Sequence, residues 1–489
     1  MTAFDEAMAH ARQTQALLQV MGRLGWDQET MMPRGAAAQR AEEMAAMEAV
    51  LHARRADPRL GEWLSQAQAP DAAGQAQLRL IRREHERTVR VPERLASALA
   101  RAASLSQGAW AEARARDDVA MFLPHLREML ALRREEAAAI AEGGDPYDAL
   151  LDDYEPGITG AEVAKLFDAL RPRLRALRDR VLGASTPAPL RGEFDPDTQL
   201  ALARDLARRF GYDFARGRLD LAVHPFSSGG GADARITTRI ERSDPFNCLY
   251  STIHETGHAT YEQGVDPAHA LTPVGQGVSM GVHESQSRIL ENQLGRSRPF
   301  TGWLFSAMRE AFGPLSTPDA DAFHAAVNRV QPGFIRTESD ELHYNLHIML
   351  RFDLERDMIA GRLAPEDLED AWNHRFEADF GVAVDRPAHG MLQDVHWSIG
   401  LFGYFPTYAL GNVYAGCLDA ALRADTPGLE ASLEQGDPSP ATAWLRWNVQ
   451  RHGGLYEPRV LIESATGAAV GEGPLLDYLE RKFTALYDL

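Results

Sequence analysis

The chain has 489 residues, 45% apolar and 25% charged, the profile of a folded globular protein rather than a disordered or fibrous one. Its formal charge of −19 argues against a surface for nucleic acid or anionic lipid. It also lacks the run of about 18 apolar residues that would span a bilayer. Two cysteines, Cys248 and Cys417, predict no disulfide framework. The opening MTAFDEAMAHARQTQ has no basic segment followed by an apolar core, so a cytoplasmic protein is expected.

Residues 1–215 read as successive helices rich in Ala, Leu, Arg and Glu. Apolar residues recur at three- and four-residue spacing, as in Ala164, Phe167, Leu170 and Leu174. Thr159 with Glu162 predicts a capping box, and Gly211 a stop for the helix around LALARDLARRF. The apolar spacing is not held over enough heptads for a coiled coil, so packed helices are expected. At 216–242 the texture changes: RLDLAVHPF (218–226) and ARITTRI (234–240) alternate or are β-branched, separated by SSGGGAD. These predict a hairpin or small sheet. Helices resume over 243–489, without repeat or interdomain linker. The expectation is one large, mainly α domain over 1–489, with a small β-sheet and a deep groove.

Asp244-Pro245 is a helix start, a capping carboxylate followed by proline where its missing N–H is harmless, and Gly264 is a stop. Within that helix stands His254-Glu255-Thr256-Gly257-His258. Histidines four apart lie one turn apart on one face, so two imidazoles can converge on one ion. Glu255, rotated by about 100°, reaches a water beside it. Such a site needs a third ligand. Tyr261 and Gly264 stand where the metzincin pattern requires Gly and His, which excludes that class. The other common solution is a glutamate from a following helix, and Glu284 in MGVHESQSRILENQLG (280–295) offers one.

At these residues the chain resembles the carboxypeptidase Taq family of zinc metallocarboxypeptidases. The resemblance runs through Asp244-Pro245-Phe246, the HETGH helix, His283-Glu284-Ser285-Gln286, Ile335-Arg336-Thr337-Glu338-Ser339-Asp340 and Gly390-Met391-Leu392-Gln393-Asp394-Val395-His396-Trp397. WDQETMMP (26–33) and GYFPTYALGN (403–412) extend it over nearly the whole chain. Ser339 stands where the family pattern has alanine, a small-for-small change.

The resemblance implies one Zn2+ per subunit on His254, His258 and Glu284, with Co2+ able to substitute, and Glu255 as the base that activates a zinc-bound water. It also implies a homodimer, and peptides with a free C-terminus as substrates, from which single residues are released with broad specificity. Candidate donors to the developing oxyanion are His396 and either Tyr404 or Tyr408, the tyrosines having core packing as their other reading. Arg336 suits the terminal carboxylate because its planar fork makes two hydrogen bonds. Gln393 and Asp394 contact substrate or orient neighbours. Asp244 has two readings, helix cap or partner of a ligand imidazole. The small sheet can take substrate backbone by strand addition, with His224 beside it. The alternatives are a zinc oligopeptidase or dipeptidyl carboxypeptidase on a similar scaffold, and an inactive peptidase fold that only binds.

Overall fold

In a computed structural model covering residues 1–489, local rules account for many helix ends. Thr159 and Glu162 close the reciprocal bonds of a capping box ahead of helix Gly160–Leu182. Helix Pro196–Arg209 stops at Gly211, whose φ of +91° favours glycine. The chain is mainly helical with one three-stranded sheet. No helix is long and apolar enough to cross a membrane. Two compact units are formed. The first takes Met1–Val89, Pro187–Asn328 and Tyr414–Val470, and the second Arg90–Thr186, Arg329–Val413 and Gly471–Leu489.

In the first unit, helix Ala3–Thr30 buries Ala7, Met8 and Ala11 against Leu60, Leu64, Leu78 and Ile81 of helices Pro58–Gln66 and Ala72–Arg90. Its other end carries Trp26, 5% exposed, whose ring centroid lies 4.4 and 5.0 Å from the guanidinium groups of Arg235 and Arg218. That contact docks the WDQETMMP stretch onto the sheet.

The sheet runs β1 (Leu219–Leu221), β3 (Asp233–Thr238), β2 (Ser227–Gly230). Of the two readings, hairpin or small sheet, the sheet is the one formed: the two stretches are parallel neighbours, with Leu219 opposite Ile236 and Leu221 opposite Thr238. The antiparallel partner of β3 is β2, part of the SSGGGAD stretch taken for a separator. Its backbone pairing, rather than apolar alternation, makes it a strand. A Cβ on Gly229 would lie 2.1 Å from Asp233 O, and its φ is +80°, so the tight return requires glycine. Thr238 Oγ1 donates to Cys248 O at 2.9 Å, tying the central strand to helix Pro245–Gly264.

The second unit packs helix Glu341–Ile359 among Gly160–Leu182 and Leu368–Phe380. Phe167 meets Phe352 edge-on at 5.1 Å, and Phe376 stacks on Phe380 at 4.2 Å. Because Glu341–Ile359 is buried nearly all round, it has no clear apolar stripe. It carries a buried polar row instead: His343, His347, Arg351 and Glu355, one per turn.

Candidate metal centre

Asp244 accepts from Phe246 N at 3.1 Å and Pro245 opens the helix, which runs Pro245–Gly264. Of the two readings of Asp244, this geometry supplies the cap. Along the helix His254, His258 and Glu262 repeat every four residues and share a face. Gly257 faces the chain that supplies the third ligand. A Cβ there would lie 2.4 Å from both Gln286 O and Ser287 Cα, so two backbones touch where a side chain would hold them apart.

Glu284 comes from helix Met280–Arg288, capped by Ser279, whose hydroxyl accepts from Val282 N at 3.1 Å. Its Oε2 is 3.6 Å from His254 Nε2 and 3.4 Å from His258 Nε2. The three ligand atoms lie within 4.8 Å of one another. Burial pushes the His258 pKa down to about 4 despite the Glu284 carboxylate nearby, leaving the ring neutral. Burial works against the Glu284 charge as well, but Arg288, His254 and His258 outweigh it and hold its pKa well below the ordinary range. A neutral imidazole, a second imidazole and a carboxylate converging in this way fit a divalent cation of the zinc type.

Each imidazole is held from behind. His254 Nδ1 is 2.9 Å from Glu291 Oε2. Glu291 in turn accepts from Arg296 at 3.0 Å and Arg288 at 3.4 Å. Those charges and His254 overcome burial and keep Glu291 ionised. His258 Nδ1 is 2.7 Å from His283 Nδ1, and His283 Nε2 is 3.0 Å from Glu262 Oε1. Arg288 Nε donates to Glu284 Oε1 at 2.7 Å. Glu291, His283, Glu262 and Arg288 were not singled out as site residues from sequence. The signal was spacing: Glu284, Arg288 and Glu291 stand at i, i+4 and i+7, and Glu262 extends the 254–258 stripe by one turn. Glu291 lies in a π-helical segment, Ile289–Gly295, of a kind often found at functional sites.

Glu255 is 6% exposed. Burial pushes its pKa up to about 7, with Glu284 and Glu291 adding to the shift and His254 opposing it. A carboxylate poised near neutrality is suited to exchanging protons with water.

The second unit assembles the other predicted residues. Asp394 accepts from Arg336 Nε and Nη2 through Oδ1, at 3.0 and 2.9 Å, and from Arg351 Nε through Oδ2 at 2.8 Å. Arg336 Nη1 donates to Tyr344 OH at 3.3 Å, and its guanidinium lies 4.9 Å from the Tyr408 ring centroid. Gln393 Oε1 accepts from Arg336 N at 3.0 Å, while its amide nitrogen donates to the Phe334, His389 and Gly390 carbonyls. His396 Nε2 is 3.2 Å from Tyr408 OH, and its ring centroid is 5.7 Å from that of Tyr404. Burial lowers the His396 pKa to about 3 against the pull of Asp394, so the ring is neutral. Sequence reading missed Arg351, which shares Asp394 with Arg336. His224 is exposed on the connection between β1 and β2.

Residues 6–483 match the family model described as carboxypeptidase Taq (M32) metallopeptidase. Thermostable carboxypeptidase 1 of Thermus thermophilus is 42% identical over 505 aligned positions, covering 99% of each chain. Carboxypeptidase 1 of Bacillus subtilis is 34% identical, covering 94% of each. A solved M32 carboxypeptidase from Deinococcus radiodurans matches with a TM-score of 0.96 and 40% identity over 100% of both chains. Metallocarboxypeptidase 1 of Trypanosoma cruzi matches with a TM-score of 0.95 and 32% identity, over 98% of this chain and 99% of that one.

Proposed function

Since the chain belongs to the carboxypeptidase Taq (M32) metallopeptidase family and is a metallocarboxypeptidase, we propose that it hydrolyses the last peptide bond of peptides with one zinc ion held by His254, His258 and Glu284. The observation that carries this reading is the convergence of three ligand atoms within 4.8 Å of one another, with Glu255 buried next to one ligand in sequence. When bound, zinc supplies Lewis-acid polarisation of the scissile carbonyl and lowers the pKa of a water toward neutrality. Cobalt is expected to substitute. Glu255 takes the proton of the attacking water and delivers it to the leaving amine.

Arg336 receives the terminal carboxylate. Asp394 and Tyr344 use three of the five N–H groups of its guanidinium, and two remain for a bidentate contact. With His396 neutral, the buried group of Arg336, Arg351 and Asp394 carries one net positive charge, which favours an anionic chain end. Gln393 and Asp394 hold Arg336 in place for it. His396 and Tyr408, which are hydrogen-bonded to each other, or Tyr404, supply donors to the oxyanion. Specificity is broad, the enzyme acts in the cytoplasm on peptides, and its working form is a homodimer over a single catalytic domain.

Mass spectrometry of a short unblocked peptide incubated with purified protein tests the reading. Stepwise loss of single C-terminal residues, stopped by a chelator, is expected. Internal or dipeptide fragments point to the oligopeptidase or dipeptidyl carboxypeptidase alternative.

A further inference from the structure

His258 is backed by a second imidazole rather than by a carboxylate, unlike His254. Two Nδ1 atoms at 2.7 Å need one proton between them, so one ring donates and the other accepts. Beyond that pair, His283 Nε2 faces Glu262 Oε1 at 3.0 Å. Gly277 N donates to the same oxygen at 2.9 Å, which marks it as an acceptor. Only one proton arrangement along this row satisfies every contact with neutral rings. His258 Nδ1–H donates to His283 Nδ1, and His283 Nε2–H donates to Glu262. The reverse order places two acceptors face to face at Glu262 and turns an N–H of His258 toward Glu284 Oε2, 3.4 Å away, where a cation has to sit.

We propose that His283 and Glu262 are a positioning pair that locks His258 in the tautomer with its Nε2 lone pair facing the metal. This inference rests on the metal-site reading above. The surroundings hold the pair in place. A Cβ on Gly277 would lie 2.7 Å from His283 Cδ2, and one on Gly230 of the edge strand 2.8 Å from Glu262 Oε2. The Tyr261 ring lies on the third side, its centroid 5.2 Å from that of His283. The two nitrogen contacts fix the ring orientation, since a flip would put carbons opposite His258 Nδ1 and Glu262 Oε1, and both glycines leave space that a side chain would take from the pair. The design is lopsided: the His254 arm meets a carboxylate directly, while the His258 arm meets one through an imidazole relay.

The test is zinc affinity, measured by competition with a chromophoric chelator, in the wild type and four variants. His283→Phe keeps the bulk and removes the acceptor, and weakens zinc by about 10–100-fold, the usual loss for a group behind a ligand. His283→Gln offers a carbonyl oxygen to His258 and recovers part of that loss. Glu262→Gln keeps an acceptor for His283 and stays close to wild type, whereas Glu262→Met weakens zinc. In the Co2+ form, proton NMR shows two paramagnetically shifted exchangeable N–H signals from the ligand imidazoles, and His283→Phe loses one to solvent exchange. If His283→Phe does not fold, the pair Glu262→Gln and Glu262→Met decides. Equal zinc affinity in the wild type, His283→Phe and Glu262→Met, with both N–H signals retained, overturns the inference and leaves the metal site intact. A wild-type protein that binds no stoichiometric zinc overturns the metal-site reading instead.

Discussion

Gly257 lies against Ser287 with no space between them: a Cβ on the first would sit 2.4 Å from Cα of the second. The helix bearing both histidines thus touches the chain bearing Glu284 at the residue next to His258. Gly257→Ala should weaken zinc binding and lower the thermal midpoint, because the overlap is with backbone and cannot be relieved by a rotamer. Overpacking of this kind costs about 1–3 kcal/mol, more than the roughly 1 kcal/mol that alanine gains over glycine from helix propensity. Gly22, in helix Ala3–Thr30, has nothing within 4 Å of its Cβ position. Gly22→Ala should raise the midpoint, a stabilisation of about 0.5–1 kcal/mol. Thermal scans and zinc titrations of both variants check the contrast.

Glu255 and Glu284 should separate by function. Glu255→Gln is expected to retain stoichiometric zinc and to lose activity by several orders of magnitude, since it removes the proton carrier but no ligand. Glu284→Gln should lower zinc content. Metal analysis alongside kcat/KM for both variants tests this, and equal metal content with equal residual rates rejects the assignment.

The acid limb of activity should follow Glu255. Its base form is the ionised one, so kcat/KM falls as pH falls. Burial raises its pKa from the ordinary 4.5 to about 7, and a bound cation pulls it back down. The limb is expected between those values, as a pH–rate profile of the metal-loaded enzyme will show.

Glu355 should make stability depend on pH in the opposite sense to a salt-bridged carboxylate. It is wholly buried, and burial pushes its pKa from 4.5 up to about 7, although it accepts from Trp397, Gly403 and Tyr147. The folded state holds this proton more tightly than the unfolded one. The stabilising contribution is therefore complete below 4.5 and is lost as pH rises through 7. A shift of this size corresponds to about 3 kcal/mol. Urea titrations at pH 4.5 and 7.5, compared with Glu355→Gln, should show that much of the pH dependence disappearing in the variant.

A C-terminally amidated peptide should be a poorer substrate than the free acid by about ten- to a hundredfold in kcat/KM, the loss of a hydrogen bond to a charged group. Arg336→Ala should lose a similar factor on the acid and erase the difference between the two. Asp394 would then keep Arg351 as its buried partner, so the variant still folds. Four rate measurements close the cycle. Equal cleavage of acid and amide by the wild type rejects Arg336 as the anchor.

Much of the metal site was legible because helices repeat locally. Asp244-Pro245 and Gly264 bound the helix, and the i, i+4 spacing of His254 and His258 needs no knowledge of the rest of the chain. Glu284 was found as the downstream glutamate that such a helix requires. Glu262 and Glu291 stood at legible spacings too, yet a glutamate at helical spacing looks the same whether it meets water or an imidazole. Which it meets depends on where Gly257 lets the second chain cross, and crossing is a property of packed surfaces. The same holds in the sheet, where the backbone of a Ser-Ser-Gly-Gly run is a strand only because Asp233–Thr238 lies beside it. It holds again for Arg336, whose type suits an anion. The sharing of Asp394 with Arg351, fifteen residues further along the chain, exists only once a 3-10 turn, a buried helix and a loop are folded together.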